Sequence, residues 1–346
     1  MNIKSLLIGS AAAFAAVSGA QAADAIVAAE PEPMEYVRVC DAFGTGFFYI
    51  PGTETCLKIG GFVRFQTGIA RDELGSYQTN RGENSDWDSF TLVDINFDAR
   101  NDTELGTLRS FVNLEYNADN DVDGDSGFDV DEAYIELGGF KVGFFYSWWD
   151  SGINGETDTH GTNTEFNSIA YNYDGGTWRA GISLDELEGI DANPAANNSS
   201  NGLGVAGTVG FSLGGVNLDL LGGYDTEAEE GAIRGIVSAD LGPGTLQVLG
   251  VWASDPNAYW NESEWSVAAS YAFKATDKLT LTPAAQYFGD VGFNSSIDQW
   301  RVGLTVGYQI VSGLDFLGTV DYNKINVSGG ADTDYTRGFL RLQRNF

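Results

Sequence analysis

Gly338-Phe339-Leu340-Arg341-Leu342-Gln343-Arg344-Asn345-Phe346 is the stretch that decides the fold. Gly338, Leu340, Leu342 and Phe346 share one parity; Phe339, Arg341, Gln343 and Asn345 share the other. That alternation is a strand with one apolar face. Arg344 falls on the apolar side, two residues from Phe346, where a long side chain can snorkel to an interface. A strand of this kind suits a closed transmembrane barrel, whose last strand must pair with its first so that no edge remains.

The other end agrees. Met1-Asn2-Ile3-Lys4 is followed by an apolar run from Leu6 to Val17 and then by Ala20-Gln21-Ala22. A positive start, an apolar stretch too short to span a bilayer and a small-x-small site predict an export signal over 1–22. Downstream, no apolar run approaches the length of a membrane helix, so an exported chain that spans a membrane must do so as a barrel.

The formal net charge is −31. So acidic a chain is a poor partner for nucleic acid and suits cations. Glycine supplies 45 of 346 residues, which favours tight turns and close strand contact over helices. Cys40 and Cys56 are the only cysteines, and an even count in an exported chain points to a disulfide. Residues 23–55 therefore read as an N-terminal segment, opened by Glu30-Pro31-Glu32-Pro33 and closed by that bridge. Residues 56–346 read as the barrel.

From Leu57 onward the pattern has period two. It predicts sixteen strands: Leu57–Ala70, Phe90–Asn101, Leu105–Asn117, Val130–Leu137, Phe140–Ser147, Ser168–Tyr173, Thr177–Asp185, Leu203–Ser212, Val216–Asp225, Gly231–Leu241, Thr245–Ala253, Glu264–Phe273, Lys278–Phe288, Gln299–Ile310, Leu314–Lys324 and Thr336–Phe346. Short turns such as Gly138-Gly139 alternate with long loops around Ser76, Asp123, Gly155, Asn197, Glu229, Asn257, Asn294 and Gly330. Short turns on one side (periplasmic) and long loops on the other are how an outer-membrane barrel is built. Trp300 and Tyr308, Trp265 and Phe273, and Leu279 and Tyr287 are same-parity pairs. Their spacing rises roughly 20 Å on a tilted strand, close to the ~25 Å apolar band between aromatic girdles. Arg301, Gly303, Thr305, Gly307 and Gln309 form a polar or small inward set.

The long loop after the fifth strand, Trp148 to Asn167, resembles the third loop of general-diffusion porins, which folds inward and narrows the lumen. Tyr36-Val37-Arg38-Val39-Cys40-Asp41-Ala42-Phe43-Gly44 and Phe48-Tyr49-Ile50-Pro51-Gly52-Thr53-Glu54-Thr55-Cys56-Leu57 resemble the start of the alphaproteobacterial porins of the rhizobial and brucellar type. The final Phe339 to Phe346 is similar to their ending. The likeness implies a sixteen-stranded antiparallel barrel, a homotrimer in outer-membrane lipid and lipopolysaccharide, and passive diffusion of small hydrophilic solutes and ions.

For such a pore, Asp150, Glu156, Asp158 and Glu165 are the candidate acids of the constriction. Arg64 and Arg341 are the leading candidate bases on the wall, followed by Arg109, Arg179 and Lys141. Asp94, Asp98, Glu115, Glu132 and Glu136 also carry inward parity. Opposed charges across a constriction orient dipolar solutes and set ion preference, here expected to be weakly cationic. Asp119, Asp121, Asp123 and Asp125, with Gly124, fit the first half of a calcium loop, but Val130 stands where its closing Glu belongs. A solvated acidic loop is the plainer reading. No cofactor motif is present, and a lone His160 beside Asp158 falls short of a catalytic constellation. The alternative function is a substrate-specific channel, for example for a sugar, which would show a run of inward aromatics; Phe62, Phe111 and Phe145 are inward but not evidently contiguous.

Overall fold

The computed structural model describes residues 38–71, 87–118, 128–190 and 202–346. Among them are seventeen strands: β1 Phe48–Tyr49, β2 Cys56–Arg71, β3 Trp87–Thr103, β4 Gly106–Ala118, β5 Asp129–Leu137, β6 Phe140–Tyr146, β7 Glu165–Asp174, β8 Trp178–Glu186, β9 Leu203–Ser212, β10 Val216–Asp225, β11 Glu230–Leu241, β12 Gly244–Ala253, β13 Ser263–Lys274, β14 Leu279–Val291, β15 Ile297–Val311, β16 Leu314–Val327 and β17 Thr333–Asn345. Each strand from β2 to β16 pairs antiparallel with the next, as in β2 with β3, β9 with β10 and β16 with β17. β17 returns to β2, so sixteen strands close into a ring. β1 is a two-residue stub on β2.

The period-two reading fixes which side chains face out. On β15, Val302 is 54% exposed whereas its neighbour Arg301 is 6%. Trp300, Leu304 and Tyr308 are exposed with Val302, and Thr305 is buried with Arg301. Every strand of the ring thus offers apolar side chains outward, the inverse of a soluble protein and the requirement of a lipid-facing wall. The turn between β5 and β6 is Gly138-Gly139, with φ of 57° and 92°. Both lie in the left-handed region that a two-residue hairpin turn demands and only glycine adopts without strain.

Two sequence expectations need correction. The connections around Glu229, Asn294 and Gly330 are short, spanning 226–229, 292–296 and 328–332. At Asn294 and Gly330 the strands beside them run further than the apolar pattern does. β16 continues through Ile325-Asn326-Val327, paired with Ile297 to Gln299 of β15. Ladder hydrogen bonds do not need an apolar face, so pairing extends past the band that alternation can reveal. The inward set is also not polar throughout. Leu221, Ile236, Leu249, Val251 and Phe288 point inward and are buried. They form one apolar cluster with Trp149, Ile153, Tyr259 and Trp260, so a dry core lies inside the ring against β9 to β14.

Cys40 and Cys56 are joined, with Cα atoms 5.9 Å apart. The bridge is buried beside Phe47. Arg100 and Lys58, inward residues of β3 and β2, lie over the Phe47 ring at 5.1 and 6.0 Å. The bridged hairpin therefore sits against the inner wall at the turn end of these strands.

Candidate functional site

The third loop leaves β6 after Tyr146 and rejoins the wall at Glu165. A 3-10 turn over Trp148–Asp150 opens it, and the Ser147 side chain caps that turn by accepting from Trp149 N at 3.2 Å. The loop then runs along inward side chains of distant strands. Asn154 N donates to Gln247 Oε1 at 2.6 Å and Glu156 N to Thr305 Oγ1 at 3.0 Å. Thr159 N donates to Gln286 Oε1 at 2.7 Å, and Gln286 Nε2 donates back to Thr159 O at 2.8 Å. Arg301 Nη1 donates to Thr157 O at 3.1 Å and to Thr159 Oγ1 at 2.8 Å. Arg234 donates from Nη2 to Trp148 O at 2.7 Å, and from Nη1 to Trp149 O at 2.9 Å and to His160 O. A loop without a sheet partner must satisfy its backbone somehow; here side chains of β11, β12, β14 and β15 do it.

A second loop, 254–262, braces the first. Thr162 N donates to Tyr259 O at 3.0 Å and Asn163 Nδ2 to Ala258 O at 2.7 Å. The Tyr259 ring stacks on Trp149 at 5.6 Å and packs on Phe166 at 5.5 Å. Its hydroxyl donates to Asp185 Oδ2 at 2.8 Å, while Ser168 donates to Asp185 Oδ1 at 2.6 Å. Burial, followed by the Asp185 charge, pushes the Tyr259 phenol well above the ordinary tyrosine value.

The candidate acids separate. Glu156 alone reaches a wall base, with Oε1 at 3.7 Å from Arg341 Nη1. Asp158 turns into the loop, accepting from Ile153 N and facing His160 Nδ1, each at 3.2 Å. Asp150 ends the 3-10 turn. Glu165 is not a loop residue: it starts β7, opposite Tyr146 on β6. Tyr146 donates to Asp131 Oδ1 at 2.9 Å, and Asn113 Nδ2 donates to both Asp131 and Asp94 at 2.8 Å. With Glu115, which feels Asp131, Asp94 and Glu165, these carboxylates make an acidic wall from β3 to β7.

The candidate bases separate too. Arg109 forks onto Asp98 with two bonds of 3.0 Å and lies 3.5 Å from Glu136. Lys141 lies 3.9 Å from Glu132, over the rings of Tyr134 and Phe145 at 3.8 and 4.0 Å. Arg179 pairs with Asp219 near the turn side. Arg64 and Arg341 stand side by side on β2 and β17, where those two strands close the ring. The inward aromatics Phe111, Tyr134 and Phe145 do touch in sequence, at 5.3 and 5.9 Å. Arg109 and Lys141 lie over them rather than leaving their faces bare. The acidic stretch Asp119 to Asp125 lies outside the described residues, as does the segment 1–37. Among the described residues no cluster of His, Cys, Asp or Glu is built to hold a metal.

Sequence reasoning did not single out Arg234, nor give Arg301 a role beyond its inward parity. Parity could place both inside; only the three-dimensional course of the third loop shows what they hold. The Tyr259-Trp260 pair in an otherwise polar loop was the one available sign of the brace.

A closed sixteen-stranded ring, apolar outside and charged inside, with loops folded onto its inner wall, defines a channel of the bacterial outer membrane. The chain belongs to the porin family: the model described as "Porin subfamily" matches residues 24–338. It is 60% identical over 349 residues to "Putative outer membrane protein y4fJ" of Sinorhizobium fredii, covering 100% of this chain and 99% of that one. It is 34% identical over 392 residues to "Porin Omp2b" of Brucella neotomae, covering all of both. Among solved structures, the outer membrane channel DcaP of Acinetobacter baumannii shares the fold at a TM-score of 0.67 and 12% identity, covering 86% of this chain and 99% of that one. The family is one of channels, not enzymes.

Proposed function

We propose that the chain forms a passive, water-filled pore for small hydrophilic solutes and ions, constricted by the third loop and weakly cation-selective. One observation carries the reading: the loop is pinned against β11 to β15, while its Glu156 reaches Arg341 on β17. The loop thus spans from the apolar side of the ring to the charged side, and the path for water runs along β2 to β7. That wall carries Asp94, Glu115, Asp131 and Glu165. Focused negative potential in a narrow lumen favours cations. The short turns face the periplasm, residues 1–22 are the export signal and 23–55 precede the barrel. Three copies associate through their apolar outer faces in lipid and lipopolysaccharide, the assembly the family likeness implies.

A substrate-specific channel is the second reading. The Phe111–Tyr134–Phe145 row favours it, and the cations lying over those rings count against it as a sliding surface. Planar-bilayer recording separates the two. We expect stepwise conductance in three levels, a cation-side reversal potential in a salt gradient and no saturable block by neutral sugars. An anion-side potential would remove the selectivity reading, and saturable sugar block would establish the specific channel.

A further inference from the structure

The first and last strands of the ring carry the same pattern. β2 reads Phe62-Val63-Arg64-Phe65-Gln66 and β17 reads Phe339-Leu340-Arg341-Leu342-Gln343. They meet where the ring closes, in a register that sets Arg64 opposite Gln343 and Gln66 opposite Arg341. Antiparallel pairing therefore relates one copy to the other by a local two-fold rotation. The contacts repeat accordingly. Arg64 Nε donates to Gln343 Oε1 at 2.8 Å, and Arg341 Nε donates to Gln66 Oε1 at 2.7 Å. Each guanidinium lies 4.5 Å from the ring of the phenylalanine two residues earlier, Phe62 or Phe339.

Like Arg301, which gives Nε to Asn323 Oδ1 at 2.8 Å, these two differ from the arginines that pair with wall carboxylates. Arg100 and Arg109 meet Asp98, Arg179 meets Asp219 and Arg337 meets Asp321. Arg64 and Arg341 instead give Nε to amides, which orient a guanidinium without cancelling its charge. The stacked ring fixes the plane of each guanidinium. Diagonal positions on paired strands lie ~7–8 Å apart, a span that lets two guanidinium groups converge on one carboxylate. A carboxylate is already there: Glu156 contacts Arg341 and its charge also acts on Arg64.

We propose that the paired Phe-x-Arg-x-Gln motifs form a binding site for solute carboxylates, and that Glu156 is its tethered competitor. The proposal rests on the pore reading above, because a solute must reach the lumen to meet the site. In the resting pore Glu156 offsets one of the clamp's two charges, and Glu115 and Asp94 also act on Arg64, which reconciles two prominent arginines with a cation-preferring lumen. An incoming carboxylate displaces Glu156, is held by charge-assisted bonds, and leaves as Glu156 returns.

The test uses the full-length protein in planar bilayers, with succinate as probe. Glu156→Gln should conduct and lower the succinate concentration for half-block about tenfold, the value of one charge-assisted bond. Adding Arg64→Gln or Arg341→Gln to that variant should abolish the gain. Gln66→Leu with Gln343→Leu keeps both charges but frees their planes, and should weaken block while conductance persists. Conducting Glu156→Gln pores with unchanged succinate block would overturn the proposal and leave the pore intact. Block by inorganic phosphate tenfold stronger than by succinate would overturn the carboxylate assignment. Wild-type protein that inserts but never conducts would sink the pore reading itself.

Discussion

Arg234 donates to the carbonyl oxygen of Trp149 at 2.9 Å and lies over the indole of the same residue at 5.1 Å. One side chain thus fixes both the backbone and the ring at the root of the third loop. Arg234→Ala would leave the Trp148, Trp149 and His160 carbonyls without this donor and destabilise the loop by about 3 kcal/mol. The sixteen-strand ring does not depend on it. The expected outcome is a folded pore with larger and noisier single-channel current. Arg234→Lys should recover only part of the wild-type trace, since an ammonium cannot reproduce the planar fork.

Tyr259 and Asp185 provide a pH test. Burial first, then Asp185, raises the Tyr259 phenol, so the fold favours the neutral form. A raised value contributes stability below the ordinary tyrosine range and loses it as pH rises through the folded value. Tyr259→Phe should cost about 1–3 kcal/mol at neutral pH by leaving Asp185 short of a donor. Thermal melts at increasing alkaline pH should then converge for the two proteins. A constant gap would show that Tyr259 does not titrate in this way.

The acidic wall should govern ion preference more than the loop acids do. Asp131→Asn removes one inward charge from a group of neighbours. It should lower the cation-to-anion permeability ratio by about twofold, read from the reversal potential in a salt gradient. Asp158→Asn, whose carboxylate is turned into the loop, should change that ratio least.

The disulfide should matter for stability and little for conduction. Replacing Cys40 and Cys56 by Ser opens a loop of about 15 residues, worth ~3 kcal/mol in the chain-entropy account. A lower melting temperature with unchanged single-channel conductance is expected. Altered conductance would mean that the hairpin over Lys58 and Arg100 shapes the path itself.

Most of the ring was legible because a lipid-facing strand writes its register locally. The sixteen anticipated strands match β2 to β17 to within three residues at either end. Arg64 and Arg341 were placed together from parity and closure alone, and the pairing of β17 with β2 bears that out. The charge partners were not legible. Whether Arg109 serves the lumen or Asp98 depends on a neighbouring strand, and whether Asp158 faces water depends on its own loop's turn. The anchors of the third loop were the hardest to see. Gln247, Gln286 and Arg301 lie 93, 127 and 144 residues from what they hold, and no local pattern encodes that.

The two arginines of the proposed clamp belong to the first and last strands of the ring. Neither has its amide partner until those strands meet, since each guanidinium is held by a glutamine across the junction. A partly folded chain, however many strands it has zipped together, holds no such site. Ring closure and acquisition of the site are one event, so a barrel left ajar would leak indiscriminately rather than work at reduced efficiency.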